Sequence, residues 1–235
     1  MDELKRKAAK VAGAAYLVSF AVVVFTQFRI HDRLVVAQNP EVTARNILAH
    51  EGLFRLGIVL DLFHCAALTA LTIALYVILK SVNLGFALAA AVWRLLYVAT
   101  WILMTLNLFD ALRLLHASES LRVFEPERLH ALAFFDLSAR FDQYYVGLLF
   151  YGLASAICSY LWLKSVYIPK ALAVFGLASS SWCAVCTFVF IIQPNFGDAV
   201  SLWWFDTPMG IFDLITSFWL LFVGLRRPTE QLVAD

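Results

Sequence analysis

Charge is what this chain lacks most. Asp, Glu, Lys and Arg together make up 15% of its 235 residues, against about 25% in soluble globular domains. That excludes a solvated surface over most of the length. The charges that remain nearly cancel, at +1, and no basic tract suggests a nucleic-acid partner. The four cysteines, Cys65, Cys158, Cys183 and Cys186, all fall within apolar runs. Cys183 and Cys186 form a C-x-x-C, but a membrane thiol oxidase needs a second cysteine pair in an outer loop, and there is none. A thiol among apolar neighbours is inert and behaves as a small hydrophobe. No internal repeat is visible either, which counts against an inverted-repeat transporter.

What is present is apolar. Hydrophobic residues reach 62% and the mean hydropathy is +0.79. Runs long enough to cross a bilayer recur throughout, so the expected fold is all-α: a polytopic membrane bundle of six transmembrane helices in a single domain over residues 1–235. The first run, Val11 to Phe28, is longer than a signal-peptide core, and no convincing small-residue cleavage site follows it. It is expected to be a retained span of about Lys10–Phe28. Asn39-Pro40 marks a turn before a short interfacial helix, Glu41 to Ala49. Span two covers about Leu53–Leu79, and Ser81, Asn83 and Gly85 make a tight turn. Span three covers about Phe86–Leu112 and is followed by a polar loop, His116 to Glu127. Pro126 suits the first position of a helix that passes Phe134 and Phe135 into span four, about Phe141–Leu163. Pro169 opens span five, about Leu172–Ile192. Thr207-Pro208 reads as N-cap and first turn of span six, ending near Gly224.

An even number of spans puts both termini on one side. That side collects every lysine (Lys5, Lys7, Lys10, Lys80, Lys164 and Lys170) with Arg6, Arg226 and Arg227. The positive-inside rule makes it cytoplasmic, so both termini are expected on the cytoplasmic side of the membrane. Trp203, Trp204 and Phe205 suit an outer aromatic belt.

The scarce polar groups within the spans then converge. Arg55, Asp61 and His64 fall in the outer half of span two, Asn107 and Asp110 in that of span three, and Asp136, Arg140, Asp142 and Gln143 in that of span four. Asp206 opens span six, with Asp213 two turns on. Arg94 is the exception, nearer the inner end of span three. A charged group at membrane depth costs about 2.5–3.5 kcal/mol or more. A chain keeps one that pairs, lines a wet cavity or does chemistry. Asp136–Arg140 and Glu51–Arg55 have i, i+4 spacing and read most simply as interfacial ion pairs. Asp206 reads as a cap, and Arg94 as a snorkelling cation or the partner of an acid on another helix. Asp61 and Asp213 have no base one turn away, so each needs a partner from another helix, a proton or water. Asp206, Gly210, Asp213 and Ser217 share one face; so do Asp61, Cys65 and Thr72. Asp61 and His64 are too few for a metal site. Haem ligation by His50 and His64, or by His116 and His130, would need histidines facing across two continuous helices. No metal or cofactor is expected.

Several stretches resemble a bacterial membrane family known as "domain of unknown function 4386". They are A-R-N-I-L-A-H-E-G-L-F-R-L-G-I-V-L-D-L at Ala44 to Leu62, V-A-G-A-A-Y-L at Val11 to Leu17, L-N-L-F at Leu106 to Phe109, G-L-L-F-Y-G-L at Gly147 to Leu153, and Y-I-P-K-A-L at Tyr167 to Leu172. The resemblance covers nearly the whole chain and is most specific around Glu51, Arg55 and Asp61. It implies six helical spans and an acid in the last one, often Glu, where this chain has Asp213. It implies no reaction.

Three functions compete. In the first, an acid-lined outer pocket binds and transforms a hydrophobic lipid-like or isoprenoid molecule, as an isomerase, cyclase or hydrolase would. Asp61 or Asp213 is the acid, with His64 and Asp110 as further catalytic groups. Arg55, Trp101, Asn107, Arg140, Gln143, Tyr144 and Asp206 hold the substrate, since aromatic faces steady a developing carbocation. In the second, the same acids carry protons or a cation in a transporter. In the third, they pair with Arg55, Arg94 and Arg140 in a structural or regulatory subunit. Membrane lipids and a hydrophobic small molecule are the expected partners. The sequence fixes no oligomeric state.

Overall fold

The computed structural model describes residues 3–116, 124–193, 195, 196, 200 and 202–226, without the side chains of 202 and 203. Every regular element among them is helical. Helix α1 spans Glu3–Thr26 and continues through a π-helical turn, Gln27–His31, into a last turn at Asp32–Leu34. Helices α2 (Pro40–Ala49), α3 (Glu51–Leu79), α4 (Leu84–Leu115), α5 (Pro126–Ser165) and α6 (Lys170–Ile192) follow. A single turn, α7 (Leu202–Phe205), precedes α8 (Thr207–Phe218), which ends in a second π-helical turn, Trp219–Val223.

The helix starts follow from local chemistry. Asn39 Oδ1 accepts from the Val42 amide at 3.1 Å, with Pro40 in the first turn of α2. Asn83 Oδ1 accepts from the Phe86 amide at 2.9 Å at the head of α4. Each caps an amide that has no partner in its own helix. Thr43 ties α2 to the chain before it, accepting from Val36 N at 2.9 Å. Pro126 opens α5, which runs unbroken for 40 residues. At about 1.5 Å per residue this is about twice the thickness of a bilayer's hydrocarbon core. The helix that Pro126 opens and the fourth expected span are therefore one rod, as the sequence suggests. Most of the polar loop from His116 lies outside the described residues.

Five helical segments are long and apolar enough to cross a membrane: Glu3–Leu34 and α3 to α6. The expected sixth span is shorter, 12 α-helical residues followed by 5 π-helical ones. It begins one residue earlier than the sequence suggests. Asp206 is the N-cap and Thr207 the first helical residue, and Gly224, at φ 78°, stops it. Large apolar side chains face outward, among them Ile192 and Phe222, at 76% and 78% exposed.

The chain divides into two compact units. One takes Met1–Phe20, Ala67–Val98 and Val146–Asp235; the other takes Ala21–Ala66 and Ala99–Tyr145. The second has a core of Ile30, Leu34, Ala44, Ile47, Phe54, Ile58, Leu108 and Leu112. The π turn admits one extra residue, and Ile30 and His31 within it are both buried. In the first unit, small residues let helices close up. A Cβ on Gly13 would lie 2.7 Å from the Ser217 carbonyl oxygen and 2.9 Å from Leu221 N. Backbone cannot move aside as a side chain can. Gly13→Ala is therefore expected to lower stability by about 1–3 kcal/mol, as overpacking does, read from the thermal midpoint in detergent.

Candidate functional site

The second unit holds a buried acid among basic groups. Asp61 on α3 is 1% exposed, and neither of its oxygens has a hydrogen-bond donor at ordinary distance. Arg140 on α5 brings Nη2 to 3.8 Å from Oδ2, and His31 brings Nε2 to 4.0 Å from the same oxygen. Hydrogen bonds of this kind run to about 3.2 Å, so both stand just outside. Arg140 Nη1 lies 3.0 Å from His31 Nδ1. A guanidinium only donates, so Nδ1 accepts. Neutral His31 then carries its proton on Nε2, the nitrogen that faces Asp61.

An aromatic wall stands beside this centre. The Trp101 indole on α4 also leans on the Asp61 carboxyl. Its ring sits 4.4 Å from the His64 ring and 6.1 Å, edge-on, from that of Tyr144. Asn107 Nδ2 donates to Gln143 Oε1 at 3.2 Å, joining α4 to α5.

Other expected site residues lie elsewhere in this unit. Asp110 is half exposed and paired with Arg113 at 3.3 Å. Arg55 pairs with Glu51 at 2.6 Å, and Glu51 also meets His116 at 3.1 Å. Arg55, Phe109, Leu112, Arg113 and His116 line a surface hollow of about 300 Å³, which Asp61 does not line. The Glu51–Arg55 pair is as expected; the Asp136–Arg140 pair is not. Arg140 turns instead to Asp61 and His31, since the buried acid leaves it less exposed to competing water than a pair along one helix.

The first unit holds the other buried acid in a network that satisfies Oδ2 and leaves Oδ1 without a hydrogen-bond partner. Tyr151 Oη donates to Asp213 Oδ2 at 2.6 Å, and Tyr16 faces the same carboxyl. Arg94 donates to Tyr16 Oη and to Ser155 Oγ, each at 3.2 Å. Its guanidinium lies 5.0 Å from the Tyr151 ring centroid and 5.7 Å from that of Tyr16. Arg94 is 1% exposed, so it neither snorkels nor reaches solvent. Beside it lies a cavity of about 10 Å³, lined in part by Thr72 and Cys158. That holds one water at most. Asp206 sits at the N-cap of α8 without capping it through its side chain. All four thiols are buried.

Residues 11–224 match the family described as Domain of unknown function (DUF4386). The chain belongs to that family. No curated protein and no solved structure matches it. In this DUF4386 member, the two acids that lack a lysine or arginine one turn away on their own helix are the ones met by other helices, Asp61 by Arg140 and Asp213 by Tyr151. Sequence reasoning missed His31, Tyr16 and Ser155. His31 reads as a span end, because nothing local announces the π turn that carries it inward. Tyr16 had a signal: it lies in the family stretch V-A-G-A-A-Y-L, three residues after the close-packed Gly13.

Proposed function

We propose that this protein is a membrane-embedded acid–base catalyst that binds and transforms a hydrophobic lipid-like or isoprenoid molecule, centred on Asp61, His31 and Arg140. The observation that carries this reading is the incomplete pairing around Asp61. Besides the Trp101 indole, the buried carboxyl has two cationic or proton-bearing groups just beyond hydrogen-bond reach, at 3.8 and 4.0 Å. A purely structural pair closes such gaps, because each unmade bond to a buried polar group costs about 1–3 kcal/mol. A substrate hydroxyl, carbonyl or alkene seated there meets an acid, a base and a guanidinium together. Asp61 gives or takes the proton, His31 exchanges it through Nε2, and Arg140 steadies developing negative charge. His64, Trp101 and Tyr144 supply aromatic faces for a cationic intermediate. Asn107 and Gln143 brace α4 against α5 beside them. Asp213 serves as a structural clamp in this scheme, Asp110 and Arg55 are taken up in pairs of their own, and Asp206 belongs to the other unit.

The same reading takes Thr207–Val223 as a sixth span, since 17–25 residues is the usual range for a crossing. Both termini then lie on the lysine-rich, cytoplasmic side of a bacterial inner membrane. The test is small-molecule mass spectrometry of what copurifies in mild detergent. Wild type is expected to carry a discrete hydrophobic compound that a folded Asp61→Asn variant loses. Bulk lipid alone, equal in both, would overturn the reading in favour of proton transport or a structural role.

A further inference from the structure

At one end of the first unit, three chain segments meet around Lys5. Its ammonium donates to Ser81 Oγ, in the turn after α3, at 2.8 Å, and to Tyr167 Oη, in the loop before α6, at 3.2 Å. It also stands 5.6 Å from the Tyr167 ring centroid. The loop is held under strain to present that phenol. Val166, a β-branched residue, has φ 56°, a conformation that such side chains rarely adopt outside sites that require it. The Arg226 amide donates to the Tyr167 carbonyl at 2.9 Å, which brings Arg226 beside the cluster. Lys80 is the neighbour of Ser81 in sequence.

Among the described residues the cluster lacks an acid. No carboxylate among them lies within ion-pair distance of Lys5, Lys80 or Arg226, although Glu3 pairs with Lys7 at 2.8 Å two residues away. Lys80 and Arg226 rest instead over aromatic rings, at 5.9 Å from that of Tyr76 and 4.8 Å from that of Trp219. That leaves their charges without an anionic partner. Lys5 has three donors and gives two to hydroxyls; that of Ser81 donates in turn to the Ile78 carbonyl at 3.3 Å, and that of Tyr167 is able to donate. Lysine with hydroxyls and a nearby arginine is the chemistry that holds phosphate oxygens.

We infer that Lys5, Ser81 and Tyr167, with Arg226 and Lys80 at the rim, form a site for the phosphate headgroup of an anionic lipid. A lipid is favoured over soluble phosphate because the cluster closes the ends of apolar, membrane-length helices, where basic side chains meet anionic headgroups. The site shares no residue with the Asp61 centre and does not depend on its role.

The experiment is native mass spectrometry of the full chain, released from nanodiscs of phosphatidylglycerol or of phosphatidylcholine. Wild type is expected to retain one phosphatidylglycerol and no phosphatidylcholine. Lys5→Gln is expected to weaken that retention by about tenfold, equivalent to about 1.4 kcal/mol. Should Lys5→Gln fail to fold, the paired variant Ser81→Ala with Tyr167→Phe reads the same contacts while keeping the charge and the ring, and a loss of several-fold is expected. Equal retention of both lipids, or no loss in either variant, would overturn the site. Displacement of the lipid by inorganic phosphate alone would overturn the lipid assignment.

Discussion

Arg94→Met is expected to destabilise the protein by about 3–5 kcal/mol, the range for removing one partner of a buried charged set. Methionine nearly matches the arginine stem in length, so the loss is electrostatic more than steric. Two charge-assisted hydrogen bonds disappear, those to Tyr16 and Ser155, each worth about 1.5–3 kcal/mol. The rings of Tyr16 and Tyr151 lose the cation between them. Asp213, 7% exposed, is left with Tyr151 and Tyr16 and without the cation. The measurement is denaturant or thermal unfolding in one detergent, followed by Tyr fluorescence or circular dichroism. Arg94→Lys is expected to recover only part of the loss, because one ammonium cannot reproduce a planar fork that reaches α1 and α5 together. Adding Asp213→Asn to Arg94→Met should also recover part, because it removes the orphaned charge. An Arg94→Met protein that melts with wild type would show that the network is not what holds α1, α4, α5 and α8 together.

That network and the Asp61 centre differ in how far they can be read from the chain. The long helices are legible because each is a nearly unbroken apolar run, and the punctuation between them is chemical: Asn39 and Asn83 cap, Pro126 and Pro169 open. The need of Asp61 and Asp213 for partners on other helices is legible too, since it follows from an absence within one turn of each. Which partner answers is not legible. Arg140 has Asp136 at ideal helical spacing, yet it goes to Asp61, because partner choice depends on which helix faces which, and that leaves no periodic trace. The last segment shows a similar limit. Its composition fits a span, but Asp206, Pro208 and Gly224 fix its length, and they leave it shorter than its neighbours. His31 is the hardest case. A π turn displaces one residue, and hydrophobic pattern is too coarse a signal to register one residue.

The pair at Asp61 yields the sharper test of role. Arg140→Met is expected to cost about 3–5 kcal/mol if its guanidinium balances a buried carboxylate. The double variant Arg140→Met with Asp61→Asn is expected to be more stable than Arg140→Met alone, because no unpaired charge remains. An exposed pair such as Asp110–Arg113 sets the contrast: removing it should change stability by less than about 1 kcal/mol. The double-mutant cycle measures coupling directly. The geometry adds a further expectation. Asp61→Asn alone should cost less stability than Arg140→Met, because the cation it orphans, Arg140, is 13% exposed and keeps some contact with water, whereas the carboxylate orphaned by Arg140→Met is 1% exposed. A site kept for chemistry tolerates that substitution in its fold and loses its function. A site kept for structure loses both together. If Asp61→Asn proves as destabilising as Arg140→Met, the pair is a structural ion pair, and the catalytic reading of the Asp61 centre falls with it.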